Sequence, residues 1–170
     1  VVNKSVQIQA NDGATVTSDG VKVGDSDRDG SVVVTADDVV IDGIELDGEN
    51  SDTNGGVIVE GATNLTINSS DIHDYRTGIT FGSEGTTDSE ITIEQNTISN
   101  NTAGIGSTDG VQGLEIDGNN FNENEEGIGL GGGVSVESIS KNDFESNDRH
   151  IKDYRSDVNE TLLQNVKSGN

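Results

Sequence analysis

The chain has 170 residues, with 32 Asp or Glu against 9 Lys or Arg and a formal net charge of −23; apolar residues make up 29%, aromatics 3%, and Cys, Met, Trp and Pro are absent. That length suits one domain, and the composition excludes a disulfide framework, a thiolate zinc site, a thiol nucleophile and a large aromatic core. The charge repels nucleic acid and anionic membranes, and no apolar run reaches the ~20 residues that a spanning helix needs.

Low hydrophobicity with high net charge is a disordered composition, but the order of the residues opposes that reading. Residues 1–30 hold scattered apolar positions (Val6, Ile8, Val16, Val21, Val23) and read as irregular first coils of a repeat. Within them, Asp25-Ser26-Asp27-Arg28-Asp29-Gly30 sets carboxylates at alternate positions before a glycine. This is the first half of a calcium loop, in which hard oxygens converge on one ion and Gly permits the sharp turn. The twelfth position of such a loop is acidic, whereas here it is Ala36, with Asp37 and Asp38 one and two steps late. Asp25, Asp27 and Asp29 are therefore a candidate Ca²⁺ site set against a solvated acidic loop.

From Val32 onward the apolar residues fall in strand-like runs. Val32–Val34, Val57 with Val59, Leu65 with Ile67, Ile91 with Ile93 and Leu114 with Ile116 alternate or run short between Gly, Asn, Asp and Ser. β-Branched residues dominate, as a pleated surface prefers. Gly129–Gly133 has no Lys or helix after it, so it reads as a flexible turn and not a phosphate loop.

These runs repeat. Ile93, Ile116 and Ile139 each precede an Asn by three residues (Asn96, Asn119, Asn142) and an apolar residue by five (Ile98, Phe121, Phe144), at intervals of 23; Ile67 with Ile72 and Ile41 with Leu46 extend the pattern backwards at intervals of 26. A second column is Ile79, Ile105, Ile128 and Ile151, and a third is Asn101, Asn124 and Asn147. A unit of 23–26 residues with short strands cannot bury its inner face alone, but stacked units can. The expected fold is all-β: a single β-helix domain over 1–170, with regular coils over 31–155 and a partial last coil over 156–170. Val1 does not resemble a native start, so the chain is expected to be a fragment of a longer protein.

Ile93–Gly104, Leu114–Gly127 and Ile139–Ile151, with the looser Val39–Leu46 and Leu65–Ile79, resemble the right-handed parallel β-helix of the pectate-lyase-like superfamily. Within it, the likeness is to repeat proteins of the carbohydrate-binding and periplasmic copper-accessory types, and it covers roughly residues 30–165. The resemblance implies that Asn96, Asn119 and Asn142 form an asparagine ladder, with Ser70 one coil earlier and Asn165 continuing it. It does not imply a function, because this scaffold hosts lyases, hydrolases, adhesins, tailspikes and plain surface proteins.

Two segments hold the only His and Tyr residues: Asp71-Ile72-His73-Asp74-Tyr75-Arg76 and Arg149-His150-Ile151-Lys152-Asp153-Tyr154-Arg155. On this fold, lyases use a cation with Arg, Lys, His or Tyr as base, and hydrolases use paired carboxylates. His73, Asp74, Arg76, His150 and Lys152 are thus the catalytic candidates. The two segments lie about three coils apart, ~14 Å at ~4.8 Å per coil, too far to act as one pair. Core packing for Ile72 and Ile151, with the Tyr rings at a turn or over the stack end, is the favoured account, and catalysis is the lesser expectation.

Acidic residues occur in nearly every coil, and Asp (19) outnumbers Glu (13) while Lys is only 5. Such a surface resembles those of extreme halophiles, here an archaeon or its virus. Self-repulsion at −23 is screened in molar salt, where the Debye length is ~3 Å. Asn-x-Ser/Thr acceptors at Asn3, Asn64, Asn68, Asn100 and Asn159 fit an extracellular glycoprotein, with Asn68 and Asn100 expected in turns. The expected function is an extracellular structural or adhesive module, a rigid acidic rod on a cell or virion surface. Its expected partners are glycans, other surface proteins, or further copies through coil ends. The alternatives are a polysaccharide-binding or polysaccharide-degrading domain, and a subunit that assembles end to end into a fibre.

Overall fold

The computed structural model describes residues 1–9, 15–16, 21–22, 29–49, 54–82, 86–107 and 110–154. The first strands are β1 (Gln7–Gln9), β2 (Thr15–Val16) and β3 (Val21–Lys22). Complete coils follow: β4 (Asp29–Val34), β5 (Val39–Asp42) and β6 (Glu45–Asp47); then β7 (Gly55–Val59), β8 (Thr63–Asn68) and β9 (Asp71–His73). The third is β10 (Thr77–Phe81), β11 (Asp88–Glu94) and β12 (Thr97–Ser99), and the fourth β13 (Ala103–Ser107), β14 (Val111–Asp117) and β15 (Asn120–Asn122). The fifth is β16 (Glu126–Leu130), β17 (Val134–Ser140) and β18 (Asp143–Glu145), and β19 (Arg149–Asp153) opens another.

Each strand pairs in parallel with its equivalent one coil away. Sheet A runs β4-β7-β10-β13-β16-β19, sheet B β1-β5-β8-β11-β14-β17, and sheet C β2-β6-β9-β12-β15-β18. The periodic residues are direct partners: Ile67 with Ile93, Ile93 with Ile116, and Ile105 with Ile128. The molecule is the parallel β-helix that the repeat demanded. One pairing departs from the repeat. β3 lies antiparallel on β4, with Val21 opposite Gly30, and occupies the outer edge of sheet A. That pairing covers an edge that would otherwise offer free backbone groups.

The interior is thin and aliphatic. Ile41, Ile67, Ile93 and Ile116 are fully buried, as are Leu46, Ile72, Ile98 and Phe121. Phe144 continues the second column and stacks on Phe121 with ring centroids 5.0 Å apart. Burying each such side chain stabilises the fold by about 1.5–3 kcal/mol, so many small columns do the work of an aromatic core. Gly56, Gly78, Gly104 and Gly127 make room for them. A Cβ on any of these four would stand 2.6–2.7 Å from the carbonyl of the next coil. The next member of that column is His150, whose ring tilts against Phe144 at 5.4 Å.

The turns between sheets B and C hold the asparagine ladder. Asn96 and Asn119 donate backbone N–H and side-chain Nδ2 to the Oδ1 of the next Asn, Asn119 and Asn142 respectively, at 2.9–3.0 Å. Ser70 joins it: its N–H donates to Asn96 Oδ1 and its Oγ accepts from Ile44 N–H. A second ladder runs through the turns between sheets C and A, from Tyr75 N–H to Asn101, Asn124 and Asn147. Both ladders satisfy buried turn groups that strands cannot reach. Asn165 lies outside the described residues.

Candidate functional site

The outer face of sheet A carries a groove of about 500 Å³, lined in part by Thr77, Thr80, Gly106, Gly129, Glu126 and Tyr154. Register explains its shape. Thr80, Gly106, Gly129 and Lys152 are successive partners on β10, β13, β16 and β19, and so are Thr77, Ala103, Glu126 and Arg149. Small residues on the middle strands leave the floor low, and Tyr154, just after β19, adds a large side chain to the lining. Gly129 lies in strand β16, so the expected turn over Gly129–Gly133 is confined to Gly131–Gly133 between β16 and β17. Sheet pairing at Gly129 with Gly106 and Lys152 is the reason.

Glu126 and Tyr154 of the lining belong to a charged knot. Glu126 Oε1 accepts from Arg149 Nη2 at 3.0 Å, from Lys152 Nζ at 3.1 Å and from the Tyr154 hydroxyl at 3.2 Å. The Lys152 ammonium also stands 4.1 Å from the Tyr154 ring centroid, a cation–π geometry. The Tyr154 and Glu126 oxygens raise the Lys152 pKa, so it stays charged. Tyr154 is 56% exposed. An exposed ring, hydroxyl-bearing threonines and a carboxylate beside a low floor can take a sugar chain, its C–H face on the ring and its hydroxyls on the polar groups.

The other candidate residues lie on sheet C. Glu45 and Asp47 on β6 pair directly with Asp71 and His73 on β9. His73 Nδ1 is 2.6 Å from Asp74 Oδ2 and 3.9 Å from Asp47 Oδ1, while Nε2 is 3.5 Å from Glu45 Oε1. Burial disfavours the charged imidazole, but the Asp74 hydrogen bond and the fields of Asp71 and Asp74 outweigh it and raise the His73 pKa. Burial also raises the Asp71 carboxyl, with Glu45 and Asp74 adding and His73 opposing.

The structure brings His73 and Asp74 together, and separates them from His150 and Lys152, which lie on sheet A three coil steps along. Arg76 is exposed in the turn before β10. His150 packs on Phe144, and Lys152 is tied to Glu126 and Tyr154. Tyr75 is buried, with its hydroxyl 2.7 Å from Ser31 Oγ. Burial pushes its pKa up, the Ser31 hydrogen bond opposes and Asp47 adds to the rise.

Asp29 Oδ1 accepts from the Asn54 backbone and side-chain amides, both at 2.8 Å; Asp25 and Asp27 lie outside the described residues. Of the sequon asparagines, Asn3, Asn64 and Asn100 are exposed, and Asn159 lies outside the described residues. Asn68 ends strand β8 instead of lying in a turn, and its Nδ2 donates to Asp42 at 3.0 Å. The stacking of Asn68 over Asp42 on β5 extends the strand to that residue.

The cross-strand placing of Glu45 and Asp47 beside His73, and the groove floor formed by Thr80, Gly106 and Gly129, were not assembled from sequence. The signal was available: Asp47 precedes His73 by one 26-residue coil, and Thr80, Gly106, Gly129 and Lys152 each follow the second isoleucine column by one residue.

A family model described as "Right handed beta helix region" matches residues 2–159. No curated protein and no solved structure matched the chain.

Proposed function

Because the chain belongs to the right-handed β-helix family, a scaffold that does not by itself specify an activity, we propose that it is an adhesive module: a stiff acidic rod that holds an extended glycan along the outer face of sheet A. The observation that carries this reading is the groove, with Tyr154 exposed beside Glu126, Thr77 and Thr80. The stacked sheets and the two ladders support stiffness. The charge of −23 supports display in a high-salt extracellular setting, where it is screened. A fibre built end to end is the less favoured assembly. A further coil stacked on β19 in the same register would meet the side chain of His150, where the preceding coils have Gly56, Gly78, Gly104 and Gly127.

The test is binding in molar salt to a panel of acidic and neutral polysaccharides, followed by co-sedimentation and calorimetry, with reducing ends assayed in the same tubes. Tyr154→Ala is expected to weaken binding about 10-fold, the loss of an aromatic platform worth roughly 1.4 kcal/mol. New reducing ends would replace the adhesive reading with a polysaccharide-degrading one. Binding untouched by Tyr154→Ala and by Thr80→Val would remove the groove from the proposal.

A further inference from the structure

Strand pairing on sheet C builds a second site that the glycan reading does not use. Asp47 and His73 are direct partners on β6 and β9, and Asp74 follows in a turn with φ of 64°. One donor atom from each of the three lies within 4.8 Å of the others. The two carboxylates approach the same ring nitrogen, Nδ1, at 3.9 and 2.6 Å, while Nε2 faces Glu45 at 3.5 Å. The imidazole is thus divided between two tasks. With its hydrogen on Nε2 toward Glu45, its Nδ1 lone pair and two carboxylate oxygens meet at one point. A metal-ligating histidine ordinarily gives its other N–H to a carboxylate in this way.

The charge pattern points in the same direction. Glu45 and Asp71 are also direct partners, so Glu45, Asp47, Asp71 and Asp74 surround one imidazole. Like charges stacked across a strand pair destabilise it. In the next two coils the same columns hold Thr97 with Ser99 and Asn120 with Asn122, which are neutral. Carboxylates return in those columns at Asp143 and Glu145 on β18, but at His73 they gather on an imidazole, which can share a cation with them.

We propose that Asp47, His73 and Asp74 bind a divalent first-row transition-metal ion of the zinc or manganese class, with Glu45 orienting the imidazole. One nitrogen and two oxygens suit these ions, whereas Ca²⁺ and Mg²⁺ prefer oxygen-only sets. Three protein donors leave coordination positions open on the solvent side, where water or an external oxygen ligand completes the shell. Asp47 is held in place for the role, because its Oδ1 accepts the Glu49 N–H at 2.8 Å.

The experiment is calorimetric titration of the whole chain with Zn²⁺ and Mn²⁺ in molar salt, where a Debye length of ~3 Å suppresses diffuse binding to surface carboxylates. Wild type is expected to bind one tight equivalent that Ca²⁺ and Mg²⁺ do not displace. His73→Gln and Asp47→Asn are expected to abolish it, and Glu45→Gln to weaken it about 10-fold or more. Circular dichroism checks that each variant keeps its sheets. Co²⁺ loading supplies an independent readout, a visible absorption band present in wild type and lost in His73→Gln. A folded His73→Gln that titrates like wild type, or only weak multiple equivalents in wild type, would overturn the proposal.

Discussion

Asn119 and Asn142 are stacked one coil apart, and both the backbone N–H and the Nδ2 of Asn119 donate to Asn142 Oδ1 at 2.9 Å. On its other side Asn119 Oδ1 accepts from the Asn96 N–H and Nδ2, and its own Nδ2 also reaches the Ile93 carbonyl at 2.9 Å. One side chain therefore closes the hydrogen bonds of three successive coils. Asn119→Ala strands several buried groups, each costing about 1–3 kcal/mol. We expect a loss of roughly 3 kcal/mol or more by urea unfolding at fixed salt. Asn142→Ala, at a half-buried rung, should lose less. Equal losses would show that the ladder does not act through burial.

The glycine column makes a sharper contrast. A Cβ on Gly104 would lie 2.6 Å from the Gly127 carbonyl and 3.1 Å from both Ile98 and Phe121, whereas a Cβ on Gly132 meets nothing within 4 Å. Gly104→Ala should destabilise by about 1–3 kcal/mol through overpacking. Gly132→Ala should leave the unfolding midpoint unchanged or slightly raised. A tolerant Gly104 would mean that coil spacing is looser than the strand register implies.

Ser107 sits in the column between Phe81 and Leu130, and its buried Oγ has no hydrogen-bond partner among the described residues. Removing the hydroxyl relieves that penalty. Ser107→Ala should therefore raise stability by about 1 kcal/mol in the same urea titration. A loss instead would reveal a partner for the hydroxyl.

The raised pKa of His73 gives a pH dependence with a definite sign. A histidine whose pKa rises on folding adds stability that is fully present below its ordinary value of 6.5 and disappears as pH rises through the folded value. Asp71, also raised, works in the same sense, because ionising it in the folded state costs more than in the unfolded chain. With a chelator present, the Tm advantage of wild type over His73→Gln should be greatest near about pH 5.5 and shrink toward about pH 9. A gap that widens with pH would contradict the arrangement of carboxylates around the ring.

Net charge predicts the salt response. With −23 on the chain, the Tm should climb steadily from millimolar to molar NaCl, most steeply below about 0.5 M where screening changes fastest. A flat response would mean that self-repulsion contributes little and would remove the physical support for a high-salt setting.

The periodic part of this protein is legible in its amino-acid order. A 23–26-residue recurrence of β-branched residues with Asn at a constant offset has one compact solution, parallel stacking, because each coil lacks an inner face until its neighbour supplies one. The Asn96–Asn119–Asn142 spacing was visible in that recurrence and its reading as a ladder came from the resemblance to the β-helix family, whereas the Asn101–Asn124–Asn147 column was visible as a spacing even though its bonds were not. The features that depend on folding lie across the coils and outside the core. Outward residues are free of the burial that imposes a residue type, so the one-coil spacings of Asp47 to His73 and of Glu126 to Arg149 were not distinguished from other surface spacings until strand pairing set them side by side. The antiparallel β3 was hidden for a similar reason: it belongs to no repeat, and its place on the edge of sheet A is set by the unpaired backbone of β4.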